Sequence, residues 1–434
     1  MDFISTRNDK KVFNLQEMLM LGLAPDNGLF VPRVMPKATV VSANYDEIAL
    51  QVLKLFFDID NVKDIYKGFT PERTPLRRLG DNFVLELFHG PSFAFKDVAL
   101  QTLGFLFKKY AKEEIKVIVA TSGDTGAAAI HGLKDHRIKV NVVYPKDRVS
   151  KVQHAQMTSV NSPYVRVIEL DGTFDECQQY VKRVLNEQPG WCAVNSINFA
   201  RIVAQMTYYI YAYKQLEQTL SPEELANLTF SVPSGNLGDA LAGYYTREIF
   251  GLKFKIHIAT NKNDVLVRLF ETGIYERQQV HATHSPAMDI TLPSNLERMF
   301  YYAGGSEYVV HVYDELKKHG KVKLSPKVWE FLKNHFTASS TNDEQTIATI
   351  ADVYNKYDYL VCPHTAVGMY NRLGLKNQVF LATAHPGKFP TAIEQAVQLD
   401  QSKYTPKALQ QVLKEPLTFV KVKNYEELLK VIKD

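Results

Sequence analysis

The sequence predicts an α/β protein built on mostly parallel sheets. Short apolar runs, each followed by a polar or glycine-rich turn and often by a helix-like segment, recur through the middle of the chain. Four of these runs are Lys116–Ala120, Val140–Tyr144, Thr229–Val232 and Lys255–Ala259. Strands that alternate with helices are typical of βαβ units, whose strands run parallel. Such sheets bind ligands at the carboxyl ends of their strands, so we expect a site where the glycine-rich turns lie.

The two ends of the chain differ in pattern from this core. Residues 1–80 combine helical patterning with the turn APDNGLFVP and end in GFTPERTPLRRLG, residues 68–80, whose prolines favour a linker. We therefore expect an N-terminal unit over 1–80 and a second region over 81–434. The final segment, YEELLKVIKD, has the apolar spacing of a helix that closes onto the core.

Composition excludes several classes of protein. The 434 residues carry 51 Lys and Arg against 47 Asp and Glu, for a net charge of +4, and no basic stripe suggests a nucleic-acid partner. Three cysteines are too few for a disulfide framework, and His281 and His284 lack a third ligand, so we expect no metal. Without an apolar signal segment or a run of about 18 apolar residues, we expect a cytoplasmic protein with no membrane partner.

The glycine-rich turns are the first candidates for a binding site. In PSGNLGD, Gly235 and Gly238 let the backbone approach a ligand closely, and the helix start that follows would attract an anion. In TSGDTG, the hydroxyls of Ser122 and Thr125 suit a carboxylate or a phosphate. Ordinary strand-to-helix turns with helix caps explain both segments equally well.

Lys96, in HGPSFAFKD, is the candidate nucleophile. It stands at the start of a helix-like run between Phe93, Phe95 and Val98. Apolar surroundings and a positive helix end should lower its pKa and so provide the neutral amine that Schiff-base chemistry needs. A surface lysine paired with Asp97 is the alternative.

Two further segments complete the set of candidates. Thr383, in TAHPGKFP, follows the apolar run VFLA and would lie at the carboxyl end of a strand. Arg201, near Asn195 and Ser196 in NSINFAR, could hold a phosphate through two hydrogen bonds. His131 and His364 stand outside these segments and can equally be structural histidines.

In their order along the chain, these motifs resemble those of the threonine synthase family in its longer bacterial and fungal form. The resemblance extends from GLAPDNGLFVP through ATNKND and SPAMDI to TAHPGKFP and so covers nearly the whole chain. It implies a pyridoxal 5′-phosphate enzyme of fold type II, similar to the tryptophan synthase β-subunit, with the cofactor between two parallel-sheet domains. It also implies that the smaller domain, over roughly residues 95–205, is mobile and that the larger domain is the remainder of 81–434.

The resemblance implies an activity and a role for each candidate. The family converts O-phospho-L-homoserine and water into L-threonine and phosphate, a lyase reaction in which Lys96 would bind the cofactor covalently. The residues expected to hold the cofactor phosphate are Gly235, Asn236, Leu237, Gly238 and Asp239. Asp124 would lie near the cofactor's phenolic oxygen and Thr383 near its ring nitrogen. Ser122 and Thr125 would bind the substrate carboxylate, and the residues expected to bind the substrate phosphate are Asn195, Ser196 and Arg201.

Two alternatives stay open at this point. A threonine-synthase-like phospho-lyase would share the fold, cofactor and substrate but release 2-oxobutanoate. A protein that retains the fold only for binding would lack turnover, although the presence of Lys96 and of both glycine-rich turns argues against it. Departures from the common family pattern are small: Ser92 and Phe93 replace Thr-Leu, Leu237 replaces Phe, and Gly387 replaces Ala.

Overall fold

The computed structural model describes residues 1–135 and 137–433, and it contains the predicted alternation of strands and helices. The strands are β1 (Phe3–Ser5), β2 (Asn8–Phe13), β3 (Phe30–Pro32), β4 (Leu76–Leu79), β5 (Asn82–Glu86), β6 (Ile115–Ala120), β7 (Ile138–Pro145), β8 (Val165–Leu170), β9 (Trp191–Ala193), β10 (Thr229–Pro233), β11 (Lys255–Thr260), β12 (Ile274–Glu276), β13 (Lys321–Lys323), β14 (Phe336–Ser340), β15 (Gln378–Ala382) and β16 (Val420–Val422). The helices are α1 (Leu15–Leu21), α2 (Tyr45–Lys54), α3 (Lys96–Tyr110), α4 (Asp124–Leu133), α5 (Lys151–Thr158), α6 (Phe174–Glu187), α7 (Phe199–Leu216), α8 (Pro222–Ala226), α9 (Gly238–Phe250), α10 (Val265–Thr272), α11 (Leu296–His319), α12 (Pro326–His335), α13 (Asp343–Tyr357), α14 (Pro363–Met369), α15 (Pro390–Ala396), α16 (Gln401–Tyr404), α17 (Lys407–Val412) and α18 (Tyr425–Lys433).

The larger sheet has six strands in the order β14-β11-β10-β15-β5-β4. All neighbouring strands pair in parallel except β4, which runs antiparallel to β5 at the edge. Strand β10, with the sequence TFSVP, is buried at every position, as expected of a strand covered by helices on both faces. β4 takes up Leu76–Leu79, so the end of the segment that we expected to be a linker is part of this sheet.

The smaller sheet has five parallel strands in the order β16-β8-β7-β6-β9. Its edge strand β16 comes from the far C-terminus, in the part of the chain that the sequence assigned to the larger domain. Helix α18 follows β16 and packs on the same sheet. The residues that α18 buries there are Tyr425, Leu428 and Ile432. The predicted closing helix is therefore present, and it lies on the smaller sheet.

The N-terminal unit is a three-stranded antiparallel sheet with two helices. The strand order is β2-β1-β3. Helix α1 begins with a capping box, in which Asn14 accepts a hydrogen bond from the Glu17 backbone and Glu17 accepts one from the Asn14 backbone. Phe3 meets Phe199 of α7 edge-on at 5.6 Å between ring centroids. The unit thus shares the hydrophobic core of the rest of the molecule.

Helices α3 and α4 pack unusually close to one another. Gly104 of α3 lies against Gly132 of α4, where an added Cβ would come within 1.9 Å of the Gly132 carbonyl oxygen. Because α3 begins at Lys96 and α4 at Asp124, this glycine contact fixes the relative position of the two candidate residues.

Across residues 1–135 and 137–433, no helix has the length and apolar character needed to cross a membrane. Within the same residues, the structure contains no cluster of three or more His, Cys, Asp or Glu side chains suited to a metal ion.

Candidate active site

The carboxyl ends of strands from both parallel sheets meet at one cavity. β6 and β9 of the smaller sheet lead into it, as do β10 and β15 of the larger one. Every site residue expected from the sequence lines this cavity. They are Lys96, Ser122, Asp124, Thr125, Asn195, Ser196, Arg201, Gly235, Asn236, Leu237, Gly238, Asp239 and Thr383. Segments that lie far apart along the chain are thus brought together, while the role of each residue stays a prediction.

Lys96 is held in place by the strand that precedes Thr383. The Phe95 backbone donates to the Thr383 carbonyl at 2.8 Å, and Ala94 forms a bridge with Ala384. The Lys96 ammonium lies 4.6 Å from the centroid of the Phe95 ring. This pairing fixes the start of α3 against the end of β15, so that Lys96 and Thr383 face the same space.

Asp124 carries a buried negative charge that two lysines share. Its Oδ1 lies 2.8 Å from the Nζ of Lys388, and its Oδ2 lies 3.5 Å from the Nζ of Lys96. The Gln153 amide also donates to Oδ1, at 2.9 Å. Burial alone would raise the pKa of Asp124, but the two ammonium groups outweigh it and hold that pKa well below the usual range. Asp124 is therefore ionised at neutral pH.

The surroundings of Lys96 favour its neutral amine. Burial lowers the pKa of Lys96 below the usual range, and the positive charges of Lys388 and Arg201 lower it further. Attraction to Asp124 opposes this effect only in part. The direction agrees with the expectation from the sequence, because a lysine needs its free electron pair to attack a carbonyl group.

The turn between β10 and α9 has the geometry of an anion-binding loop. Leu237 adopts the left-handed conformation, with φ 62°, immediately before α9 begins at Gly238. In the part of the chain that the structure describes, the backbone N–H groups of residues 235–239 donate to no protein acceptor. Free N–H groups at the start of a thirteen-residue helix attract an anion. Packing leaves no room for a Cβ at Gly235, because it would lie 2.8 Å from the Ala287 carbonyl oxygen.

Asp239 differs from the other residues of this loop. Its carboxylate Oδ1 accepts hydrogen bonds from the hydroxyls of Tyr208 and Tyr209 at 2.6 and 2.9 Å. Its Oδ2 is buried without a partner among the described residues. Burial raises the pKa of Asp239 to about 6, while the two tyrosines partly offset this rise. A carboxylate would repel a phosphate, so the backbone N–H of Asp239 is the group that suits the predicted role.

Arg201 provides a second positive site in the cavity. It is 3% exposed, and its Nη1 donates to the Val194 carbonyl at 3.0 Å. Its Nε has no partner and, within the described residues, no carboxylate forms an ion pair with it. Burial lowers the pKa of Arg201 to about 10, so the side chain remains charged at neutral pH. A buried guanidinium without a counter-ion indicates that an anion binds there.

The turn after β6 presents hydroxyl groups. Thr121 accepts hydrogen bonds from the backbones of Gly123 and Gly126, both at 2.9 Å, and so shapes the turn from within. This leaves the neighbouring Ser122 and Thr125 facing the cavity. Gly123 caps α4 without a side-chain hydrogen bond, so Thr121 stabilises the turn before the helix, whereas Ser122 and Thr125 are available to a ligand.

Several residues around the cavity were not expected from the sequence. They are Gln153, Tyr208, Tyr209, His364 and Lys388. Lys388 lies within the motif TAHPGKFP, but the neighbouring sequence does not indicate that its side chain is buried. Burial lowers the pKa of His364 to about 3, so it is neutral, and its Nδ1 has no partner among the described residues. His364 is therefore more than a satisfied structural histidine.

The residues of the cavity fit pyridoxal 5′-phosphate. The free N–H groups of 235–239 suit its phosphate, and Lys96 suits its aldehyde carbon. Unpartnered buried atoms of Arg201, Asn195 and His364 leave further polar groups for a substrate. Two anion sites in one cavity match a phosphorylated cofactor next to a phosphorylated substrate.

Comparison with known proteins agrees with this site. Residues 70–379 match the family described as pyridoxal-phosphate dependent enzyme. Residues 2–66 match the threonine synthase N terminus, and residues 365–432 match the threonine synthase C-terminal family.

Related proteins and solved structures extend the match to the whole chain. Threonine synthase of Schizosaccharomyces pombe is 38% identical over 91% of this chain and 89% of its own. Human threonine synthase-like 2 is 31% identical over 90% of this chain and 88% of its own. The crystal structure of threonine synthase from Brucella melitensis with bound pyridoxal phosphate superposes with a TM-score of 0.90, at 34% identity, over 100% of this chain and 99% of that one. The predicted fold type II class and cofactor are confirmed, and the chain belongs to the threonine synthase family of pyridoxal-phosphate-dependent enzymes.

Proposed function

We propose that this enzyme converts O-phospho-L-homoserine and water into L-threonine and inorganic phosphate. The observation that carries the proposal is the pair of anion sites that share one cavity with Lys96. The N–H groups of 235–239 form one, and the buried guanidinium of Arg201 forms the other. An enzyme whose substrate carried no phosphate would need only the first of these sites.

Lys96 is the residue that moves protons in this proposal. Pyridoxal phosphate, when bound, withdraws electrons from the amino-acid carbon skeleton. The Lys96 amine, whose neutral form burial favours by lowering its pKa, takes the proton from the substrate α-carbon and exchanges protons further along the substrate's carbon chain. Asp124 lies 3.5 Å from Lys96 and stabilises the ammonium that forms. Thr383 offers a hydroxyl to the ring nitrogen, which it cannot neutralise as a carboxylate would.

The substrate is held at both ends. Ser122 and Thr125 donate hydrogen bonds to its carboxylate, and Arg201, with Asn195 and Ser196, binds its phosphate. Loss of phosphate places a growing negative charge on the leaving group, which the Arg201 guanidinium stabilises in a site shielded from water. Closure of the smaller domain, expected from the resemblance, would improve that shielding.

The central test replaces Lys96 with alanine. The purified wild type, supplied with pyridoxal phosphate, should show a visible absorption band from the lysine-bound cofactor. The Lys96→Ala variant should lose both the band and all measurable threonine formation. A Lys109→Ala variant at a partly exposed site outside the cavity serves as the control. A wild type that stays colourless with added cofactor would overturn the proposal.

The predicted phosphate site is tested at Arg201. Arg201→Ala should weaken binding of phosphohomoserine about 10–100-fold, because a hydrogen bond to a charged group contributes about 1.5–3 kcal/mol. Binding of homoserine, which lacks the phosphate, should change little. Both affinities can be read from shifts in the cofactor spectrum. Equal losses for the two ligands would remove Arg201 from the phosphate site.

The product distinguishes the remaining alternative. The sequence identity of this chain to threonine synthase-like 2 is close to its identity to some threonine synthases. The reaction mixture should therefore be analysed for both threonine and 2-oxobutanoate. We expect threonine. Release of 2-oxobutanoate without threonine would show that the enzyme eliminates phosphate but does not add water to form threonine. That result would overturn the proposed reaction.

A further inference from the structure

A second groove adjoins the active-site cavity. Four parts of the molecule form it: the N-terminal unit, helix α6, the end of β9 with the segment that follows it, and β12 with α11. The groove and the cavity share four lining residues. They are Gln178, Asn195, Ser196 and Asn236. The groove is therefore continuous with the predicted phosphate-binding side of the cavity.

Three cationic side chains from different parts of the chain converge on this groove. Arg7 lies in the turn between β1 and β2, Lys182 is on α6, and Arg277 directly follows β12. Desolvation, followed by repulsion from Arg7 and Arg277, lowers the pKa of Lys182, although the residue as a whole remains exposed. Lys182 is thus close enough to both arginines to be repelled by them.

The carboxylate that lines the groove forms a direct ion pair with only one of these cations. Glu297 accepts hydrogen bonds from Arg7 at 2.8 and 3.1 Å, and from the Thr6 hydroxyl at 2.6 Å. Arg7 also lies over the Tyr313 ring, 4.7 Å from its centroid. Among residues 1–135 and 137–433, Lys182 and Arg277 form no ion pair. Asp175 and Glu297 attract Lys182 from a longer distance. Two positive charges beside the active site therefore have no direct ion-pair partner.

We propose that Lys182 and Arg277 form an outer anion subsite that captures the phosphate group of the substrate before it reaches Arg201. This inference rests on the proposed function, because the captured ligand is a phosphate monoester. Like charges held together without a direct ion pair raise the local potential, attract a dianion and increase its rate of association. Inorganic phosphate, the second product, would bind to the same subsite as it leaves the active site. An anion there would bridge α6 of the smaller domain to the rest of the molecule.

The kinetic test removes both charges in Lys182→Gln/Arg277→Gln. At low ionic strength, kcat/KM for phosphohomoserine should fall about 10-fold relative to the wild type, and the difference should shrink below about 2-fold at 0.5 M salt. The control, Lys63→Gln/Lys430→Gln, removes the same charge from exposed positions outside both pockets and should match the wild type throughout. A double variant with the kcat/KM and salt dependence of the wild type would overturn the inference.

A second measurement separates this inference from the proposed function. Inorganic phosphate is titrated calorimetrically into the holoenzyme, with no turnover required. We expect Arg201→Ala to retain a weak phosphate site that Lys182→Gln/Arg277→Gln lacks. If Arg201→Ala abolishes all phosphate binding, the outer subsite does not exist. A wild type that binds phosphate at the groove but forms no threonine would instead overturn the proposed function alone.

Discussion

A single carboxylate, Asp124, organises the charges around Lys96. Its two oxygens contact two different lysines, and one of these, Lys388, is fully buried and also donates to the Ser92 carbonyl at 2.7 Å. Once Lys96 is bound to the cofactor, Lys388 remains as the counter-ion of Asp124. The residue pair Asp124–Lys388 thus allows Lys96 to change its charge without leaving an isolated buried charge.

This arrangement predicts the effect of Lys388→Met. Removing one partner of a buried ion pair typically destabilises a protein by about 3–5 kcal/mol, and we expect somewhat less here because Lys96 still faces Asp124. The free energy of unfolding in urea measures the loss. The double variant Asp124→Asn/Lys388→Met should lose less than the sum of the two single variants, since Asp124 and Lys388 are then removed together and neither charge is left without the other. Strictly additive losses would contradict the pairing.

The pH dependence of that loss follows from the pKa of Asp124. A carboxyl group whose pKa is lowered in the folded state contributes stability above its unfolded pKa, 3.8, and this is lost as the pH falls toward the folded value. The difference between wild type and Lys388→Met should therefore be constant from about pH 5 to 8 and shrink below about pH 4. A difference that already shrinks between pH 8 and 5 would show that Asp124 is not the group involved.

At the residue scale, the sequence predicts the groups that stand in compact motifs. Lys96, Ser122 and Arg201 each lie in a segment whose composition points to ligand binding, and all three line the cavity. The role of Lys388 could not be predicted, because its partner Asp124 follows β6 of the smaller sheet, whereas Lys388 follows β15 of the larger sheet. Their contact exists only after folding. The burial of His364 is likewise set by tertiary packing, which a single histidine in a sequence does not reveal.

At the scale of helices and strands, the contact between α3 and α4 controls the site. Gly104→Ala would place a methyl group 1.9 Å from the Gly132 carbonyl oxygen, so the two helices must separate. We expect destabilisation of about 1–3 kcal/mol, typical of overpacking, together with weaker cofactor binding as Lys96 and Asp124 move apart. Thermal unfolding and spectroscopic titration with pyridoxal phosphate measure the two effects.

The matched control for this prediction is Gly374→Ala. Gly374 has open space around an added Cβ and should tolerate the change. A Gly104→Ala variant with wild-type stability and wild-type cofactor affinity would show that the helices have room to adjust.

The buried central strands are the elements that the sequence predicts best. β10 and β11 are short, largely buried runs bounded by polar turns, and their predicted limits agree with the observed ones to within a residue. β4 has the sequence LRRL, with two exposed arginines, and β16 has only three residues. Such short edge strands take their conformation from the neighbour with which they pair, so their own sequences carry little signal.

For the whole molecule, the N-terminal unit supports the active site through one buried arginine. Arg298 donates to the carbonyls of Phe30 at 2.9 Å and Ile197 at 2.6 Å, and to the side chain of Asn295. Asn295 in turn donates to the carbonyls of Ser196 and Asn236, both at 3.1 Å. The unit is thereby connected to both predicted anion sites. No sequence pattern predicts this link, because Arg298 is satisfied by backbone oxygens from two distant segments and by the side chain of Asn295.

The C-terminal origin of β16 has a consequence for the order in which the chain folds. The ribosome makes the other four strands of the smaller sheet long before it makes residues 420–422. Until those residues emerge, one edge of β8 has no partner, and the apolar surface later covered by α18 is open to solvent. The earlier strands of this sheet therefore remain incomplete and prone to association until residues 420–433 have been made. Contacts between such distant segments also slow folding, so a segment made more than 200 residues after β9 completes one of the two sheets that form the active site.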